Sequence, residues 1–412
     1  MLSLSKHEVA RTIHRERKNQ MRQRRIPAAF MRGGTSNAIV FKHEDLPDRA
    51  LWDQIFLAAM GTPDPNGRQL NGMGGGISSL SKVCIVGRPS RPDADIDYTF
   101  AQIGVQKATV GYTANCGNMS AAMGPFAVDE GIVKAEGDKT MVRIHNTNTK
   151  KIIHAHFSLD EGLAAVDGDY ELRGVAGTGA PVRLEFRDPG GAGTGKLLPS
   201  GQVLDELDVP GLGRIEVSMV DAGNPVVFVE AATLGVEGTE LPADIDADAR
   251  LMAKLDLIRR HAAVRMGLAE TPETASPVVP FVGFIAPAKD ALTISGDRLG
   301  ADQGDVTARI LSSGNTHRAL PLTCSICTTV ASRIEGTLVH RHARPTSNPK
   351  DDLNIMQPSG ILTVASNVFM KGNEWYAEYG ATYRTQRRMF DGFVYVPASR
   401  VPALTADGKA AA

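Results

Sequence analysis

The chain has 412 residues, a formal net charge of −1, 42% hydrophobic and 22% charged residues. Such a composition leaves room for two or three cores, excludes collagen-like and charge-rich disordered chains, and carries no global signature of nucleic-acid or lipid binding. Apolar runs fall far short of a membrane span, and four cysteines without a visible signal peptide predict reduced thiols in a cytoplasmic protein.

Residues 1–25 set eight Lys and Arg against two Glu. The Ser richness of a transit peptide and the interleaved aromatics of an RNA-binding arm are both missing, so a disordered leader is expected. From Pro27 onward, short alternating runs rich in Val, Ile, Phe and Tyr predict strands at 28–31, 37–41, 82–86, 96–105, 141–147 and 151–158. Leu51, Ile55, Phe56, Ala59 and Met60 recur at helical spacing after Pro47-Asp48, which predicts a surface helix. The glycine-dense stretch 189–195 reads as an exposed loop. Beyond it come strands at 214–220, 225–230, 278–285, 292–295 and 306–311, and a long amphipathic helix over 244–268 with a basic face at Arg259, Arg260 and Arg265. Strands at 360–367, 375–384 and 392–396 close the chain.

Segments 117–131 and 321–335 have helical length but no charged face until the last turn. A helix without a polar face must be enclosed by other structure, and small residues let surrounding strands come close. Pro321 suits a first helical turn. The two segments start about 200 residues apart, half the chain. An α+β architecture follows, duplicated as halves 26–205 and 206–400 with a short tail at 401–412. Each half is an antiparallel sheet wrapped around one buried helix. Both helix N-termini would then offer unpaired backbone N–H groups to a carboxylate or phosphate.

Several residues could do chemistry. Cys116 begins the first apolar segment, where a helix N-terminus favours a thiolate; a free Cys is otherwise most often a small buried apolar residue. Asn115, Gly117 and Asn118 around it form a turn rather than a packed run. Lys82 ends the stretch Asn71-Gly72-Met73-Gly74-Gly75-Gly76-Ile77-Ser78-Ser79-Leu80-Ser81 and opens a strand, unlike the phosphate-binding P-loop lysine, which opens a helix. The alternatives are an exposed strand-end lysine, or a pocket in which Gly74 and Gly75 let backbone amides wrap an anion beside Ser78, Ser79 and Lys82. The turn Arg32-Gly33-Gly34-Thr35-Ser36 could bind a carboxylate through guanidinium and hydroxyls, or be a plain turn between strands. In the second half, Asn224, Ser313, Gly314 and His317 flank the strands before the second apolar helix, with Arg318 a further cation; a structural role is commoner for a lone His.

Other chemistry is less favoured. Cys324 and Cys327 form a Cys-x-x-Cys, but inside an apolar helix and without a second ligand pair, so core packing is expected rather than redox or zinc chemistry. His154/His156 and His340/His342 have same-face strand spacing without an evident third ligand, so no metal is expected. No Gly-x-Gly-x-x-Gly opens a helix after a strand, which argues against a nicotinamide cofactor.

The motifs Met31-Arg32-Gly33-Gly34-Thr35-Ser36, Gly72-Met73-Gly74-Gly75, Ser78-Ser79-Leu80-Ser81-Lys82-Val83, Asn115-Cys116-Gly117-Asn118, Pro358-Ser359-Gly360 and Arg384-Thr385-Gln386-Arg387-Arg388 occur in one order. In them the chain resembles the PrpF family, over about residues 26–396. That family includes 2-methylaconitate cis-trans isomerase, 3-methylitaconate isomerase and 4-oxalomesaconate tautomerase. The resemblance implies a diaminopimelate epimerase-like fold with the active site between two similar domains. It also implies that the Lys of the Ser-Lys motif, here Lys82, and the Cys of Asn-Cys-Gly-Asn, here Cys116, are the proton-transfer pair. Ser359 joins the expected substrate-binding residues. Asn37, Asn71 and Gln357 depart from the family's usual Lys, Asp and His, near the expected carboxylate-binding surface.

The implied reaction needs no cofactor and acts on a small anionic carboxylate, an unsaturated di- or tricarboxylate. Removal of an allylic proton gives a dienolate; return of a proton after rotation exchanges cis and trans, and return at the other end moves the double bond. Either Lys82 or Cys116 could be the base. A homodimer and association with an aconitase-like dehydratase are compatible partner readings. A non-enzymatic accessory protein of an iron–sulfur dehydratase is the alternative from another class. An amino-acid racemase would need a second cysteine at a helix start, whereas Cys324 and Cys327 fall inside theirs.

Overall fold

The structure, a computed structural model, describes residues 23–113, 115–348 and 350–404. Most of the basic leader, residues 1–22, therefore lies outside the described residues. The chain forms two units, one from residues up to 184 with 384 onward, the other from 185–383.

In the first unit β1 (Gln23–Gly33) and β2 (Ser36–Lys42) form an antiparallel hairpin. The helix α1 (Trp52–Met60) then leads to β3 (Lys82–Gly87), which lies parallel to β2. β4 (Ile96–Ile103) runs antiparallel to β3. Next α2 (Gly117–Asp129) leads to β5 (Lys139–Asn146), parallel to β4, and β6 (Lys151–Asp160) pairs antiparallel with β5.

The second unit repeats this series. β7 (Asp205–Val209) leads antiparallel into β8 (Gly213–Ala222), and β8 and β9 (Asn224–Glu230) form the hairpin. Two helices, α3 (Pro242–Ala247) and α4 (Ala249–Arg265), connect β9 to its parallel neighbour β10 (Phe281–Pro287). β11 (Val306–Ser312) is antiparallel to β10. Then α5 (Leu322–Ser332) and α6 (Leu338–His342) lead to β12 (Leu353–Gln357), parallel to β11, with β13 (Gly360–Lys371) antiparallel beside it. β14 (Glu374–Arg384) pairs with β13. The last strand, β15 (Gln386–Pro397), belongs to the first unit and runs antiparallel along the whole of β1.

The duplication and the α+β class expected from the sequence are thus present, with one change. The sheets are mixed, because each unit contains two parallel pairs. Parallel neighbours need a long crossover. The first crossover of each unit carries a surface helix, α1 or α4, and the second carries the enclosed helix, α2 or α5.

The enclosed helices are the predicted ones. Met119–Val128 of α2 are all buried, as are Cys324–Ser332 of α5. Close approach is bought with glycines. A side chain on Gly124 of α2 would meet Ala155 and Phe157 of β6 at 3.1 Å. In the second unit the glycine is on the sheet: a Cβ on Gly380 would come within 2.3 Å of Ile326. Cys324 and Cys327 are fully buried, and Cys327 donates to the Val220 carbonyl at 3.2 Å, the packing role expected for them.

Other expectations are corrected. The domain division falls at 184/185, and β15 rejoins the first unit because β1 offers it a full-length partner. Residues 401–404 are not all tail: Val401 and Leu404 are buried beside Ile26, Trp52 and Val394. The helix predicted over 244–268 breaks at Asp248, whose side chain caps α4 by accepting from Arg250 N at 2.9 Å and Leu251 N at 3.0 Å. Its basic face is paired off, Arg259 and Arg260 with Asp256 and Arg265 with Asp205, and Arg259 is buried. The strand expected at 292–295 shrinks to Ala291–Leu292. His340 and His342 lie on the short helix α6, where alternate residues do not share a face. The 189–195 loop folds over Asp221, whose Oδ2 accepts from Gly193 N, Thr194 N and Thr194 Oγ1 at 2.7–2.8 Å. Strands Val182–Arg187, β7 and β12 were not among the predicted ones, although Val182–Arg187 alternates apolar and charged residues throughout.

Gly124→Val should lower the unfolding free energy by about 1–3 kcal/mol, the usual range for overpacking a core. A denaturant midpoint unchanged from wild type would refute the close helix–strand contact.

Candidate active site

The site is built at the start of α2. Cys116 is the N-cap residue, in extended conformation and half-buried, and no side chain caps the helix. The first backbone N–H groups of α2 therefore keep their capacity for an anion, with the helix dipole in support. The turn is held from behind. Ser120 N and Oγ donate to the Cys116 carbonyl at 2.9 and 3.0 Å. Asn115 Oδ1 accepts from Ser120 Oγ at 3.2 Å and from Asn146 Nδ2 at 3.1 Å. Asn115 thus spends its carbonyl fixing the cysteine's backbone.

The Gly33-Gly34 turn packs onto this helix start. A Cβ on Gly33 would come within 2.7 Å of the Asn118 carbonyl, and one on Gly34 within 2.4 Å of Asn118 Oδ1. Gly34 also has φ +53°. Asn118 ties the surroundings together, donating to Thr35 Oγ1 at 3.1 Å and accepting from Arg384 Nε at 3.0 Å. Thr35 is exposed and Ser36 buried. Arg32 is used differently from expectation. Its Nη1 donates to Gly34 O, Thr385 O and Thr385 Oγ1 at 2.9–3.1 Å, so it fastens the turn to the last strands. Burial, then Arg387, lowers its pKa.

Arg384 is the cation that sequence reasoning passed over, although it opens one of the quoted motifs. Burial lowers its pKa first, while Tyr170 and Cys116 raise it. Its bond to Asn118, two residues beyond Cys116, places the guanidinium at the start of α2.

Lys82, the first residue of β3, is only 7% exposed, which removes the reading of a solvated strand-end lysine. Its Nζ donates to Gln102 Oε1 at 2.5 Å and sits 5.1 Å from the centre of the Phe100 ring. Cys84, two residues along the strand, is fully buried and donates to Tyr98 Oη at 3.7 Å. Burial raises the Cys84 pKa most, Cys116 raises it further, and Lys82 lowers it. Lys82 and Cys116 belong to the same unit.

The glycine stretch before Lys82 is not an anion cradle. The N–H groups of Gly72, Met73, Gly74, Gly75 and Gly76 donate to Gln69 O, Ala59 O, Met60 O, Leu80 O and Gln69 Oε1. Gln69, buried at φ +56°, organises the loop, and its amide also donates to Thr62 Oγ1 and Ser81 Oγ at 2.8 and 2.7 Å. The glycines are there for close approach: Gly74 would press a Cβ to 2.2 Å from the Gln69 amide. Ser78 and Ser79, on the one-turn helix Ser78–Leu80, supply the accessible polar surface.

In the second unit α5 also starts without a capping side chain, at Pro321. Asn224 Nδ2 donates to Thr323 Oγ1 at 2.5 Å, in its first turn. Gln357 Oε1 accepts from Leu320 N at 2.6 Å, just before the helix, and Gln357 Nε2 donates to Ser359 Oγ at 2.8 Å. Ser313 and Gly314, at φ +52° and +77°, are the central pair of the tight hairpin between Ser312 and Asn315, and both are exposed. His317 bonds Ser312 Oγ at 2.8 Å and lies against Phe281; burial lowers its pKa, so it brings no positive charge at neutral pH.

A cavity of about 1100 Å³ in the first unit lies at the far end of β3, between Lys42, Arg88, Glu130 and Lys150. Its acidic and hydroxyl lining is largely committed internally: Glu130 to Lys42 and Arg388, Asp97 to His145, Thr99 to Thr147. It takes no part in the site.

Gly34→Ala should cost stability by about 1–2 kcal/mol from the left-handed backbone alone and lower turnover by displacing Asn118; wild-type kcat would refute the turn's role. His317, with its folded pKa below the unfolded value, binds protons preferentially in the unfolded chain. Stability should fall as pH drops below about 6.5, and His317→Gln should flatten that fall; identical pH–stability curves would refute the assignment.

Comparison with known proteins identifies the family. The family model described as PrpF protein matches residues 23–397. The chain is 41% identical to 3-methylitaconate isomerase of Eubacterium barkeri, covering 92% of this chain and 99% of that protein. It is 36% identical to 2-methyl-aconitate isomerase of Shewanella oneidensis, covering 91% and 98%. It is also 36% identical to (4E)-oxalomesaconate Delta-isomerase of a Novosphingobium species, covering 90% and 97%. A crystal structure of methylitaconate-delta-isomerase superposes with a TM-score of 0.87 at 40% identity, covering 92% of this chain and 98% of that one. The described residues contain no helix long and apolar enough to cross a membrane. By the span of the family model and the coverage of these relatives, the chain is an isomerase and belongs to the PrpF family.

Proposed function

We propose that the protein isomerises an unsaturated di- or tricarboxylate of the 2-methylaconitate or aconitate kind, by cis–trans exchange or by shift of the double bond, through Lys82 and Cys116. The observation that carries this reading is a buried lysine at the head of β3 and, in the same unit, a cysteine at an uncapped helix start whose neighbour Asn118 holds Arg384. The substrate class is supported by relatives named for methylitaconate, 2-methylaconitate and oxalomesaconate, all unsaturated polycarboxylates.

The difficult step is loss of a C–H proton beside the double bond. Negative charge then spreads over the allylic carbons and the conjugated carboxylate. Groups that stabilise that charge as it forms lower the barrier, and preorganised N–H donors do so without reorganising. The free first-turn N–H groups of α2 suit this task, with Arg384 adjacent. One of Lys82 and Cys116 takes the proton; the other returns one to the same carbon after rotation, or to the far allylic carbon. An amine or a thiolate is a competent base only when unprotonated or ionised respectively, and burial and charged neighbours set that balance. Asn37, Asn71 and Gln357 are proposed to tune which carboxylate fits.

Lys82→Ala and Cys116→Ala should each lower kcat by about 100-fold or more while leaving the thermal transition in place. NMR in deuterated water, run over aconitate, methylaconitate, methylitaconate and oxalomesaconate, should show solvent deuterium entering the allylic position of the preferred substrate. Wild-type turnover by either variant would overturn the residue assignment. No exchange on any of the four acids would overturn the substrate class and favour an accessory role.

A further inference from the structure

Lys82 has a neighbour whose placement is over-determined. Gln102 is its cross-strand partner in the β3–β4 ladder. The Gln102 Nε2 donates to the Ser81 carbonyl at 2.9 Å and the Ser78 carbonyl at 3.1 Å. Backbone carbonyls only accept, so the amide cannot flip, and Oε1 must face Lys82 Nζ, at 2.5 Å. The lysine is thus held by the one uncharged acceptor that this strand pair presents to it.

The rest of its surroundings also lack a counter-ion. Among the described residues, Lys82 makes no ion pair. Further along the same strand Cys84 donates to Tyr98 of β4, and in the same unit Cys116 and Arg384 lie at the start of α2. Phe100 covers the ammonium from β4.

We propose that Gln102 is a positioning residue for the proton-transfer step, fixing Lys82 through a neutral hydrogen bond that serves both its protonation states; this rests on the assignment of Lys82 above. An ammonium has three N–H bonds and an amine two, so one can stay on Gln102 Oε1 while another proton leaves or arrives. The nitrogen does not move between the two halves of the reaction. A carboxylate at the same place would hold Lys82 equally well but would favour its charged form. Glutamine supplies the geometry without that bias.

The test is Gln102→Glu, nearly isosteric, with Gln102→Met as a neutral variant lacking the acceptor. In Gln102→Glu, the limb of the pH–rate profile set by Lys82 should move to higher pH by about one unit or more. Gln102→Met should lower kcat at least several-fold with little change in KM. If Gln102→Glu is too slow to profile, the Lys82 titration is followed instead by NMR of protein biosynthetically labelled with ¹³C,¹⁵N-lysine, the Cε signal being assigned by its loss in Lys82→Ala. It should show the same upward displacement. Both limbs and the Lys82 signal unmoved in folded Gln102→Glu, or wild-type kcat in folded Gln102→Met, would overturn the proposal. Wild-type turnover by Lys82→Ala would instead defeat the underlying assignment, so the two failures are distinguishable.

Discussion

The structure depends on one constraint: a helix with no polar face has to be enclosed on every side. Sequence and topology meet that demand together. The helix rides the crossover between two parallel strands, and the strands that continue the sheet close around it. Glycine and alanine at the contacts allow backbones to approach, as Gly124 and Gly380 do. In both units the polar side chains around the helix start are bonded elsewhere and none caps the first turn, so its N–H groups stay available. In the first unit Cys116 stands at that point.

The electrostatics of the first unit follow from how its polar groups are distributed. Most are satisfied inside the protein. Asn115 fixes the Cys116 backbone, Arg32 binds the turn to Thr385, and the glycine loop folds onto Gln69. What is left over is specific: a thiol at a helix start, a guanidinium beside it, and a buried ammonium on a neutral acceptor. No carboxylate of the described residues pairs with Lys82, which bonds Gln102 instead.

Much of this was legible in the amino-acid sequence because it lies in local pattern. Two segments without a charged face at half-chain separation announced the duplication, and Asn-Cys-Gly-Asn and Ser-Lys marked the two candidate groups. The legible part stopped where one pattern could serve two masters. Repeated glycines suggest both anion binding and backbone contact; the contacts of Gln69 decide for the second. An arginine in a Gly-Gly turn suggests carboxylate recognition, yet Arg32 is occupied by Thr385, more than 350 residues away along the chain. Parallel pairing was invisible because residue alternation is the same in either direction.

By itself the sequence determined the two enclosed helices, the surface helix α1 and most strands, and it singled out Lys82 and Cys116 as candidates. The elements follow from periodicity, and the candidates from position and from the resemblance to the PrpF family. Only the tertiary structure decided which polar groups remain available. It brought Arg384 and β15 back to the first unit, set Gln102 opposite Lys82, and consumed Asn115, Arg32 and the glycine amides in internal bonds. The reason is that hydrogen-bond satisfaction is a property of partners distant in sequence: a donor's residue type says what it can bind, and the fold alone says what it has bound already.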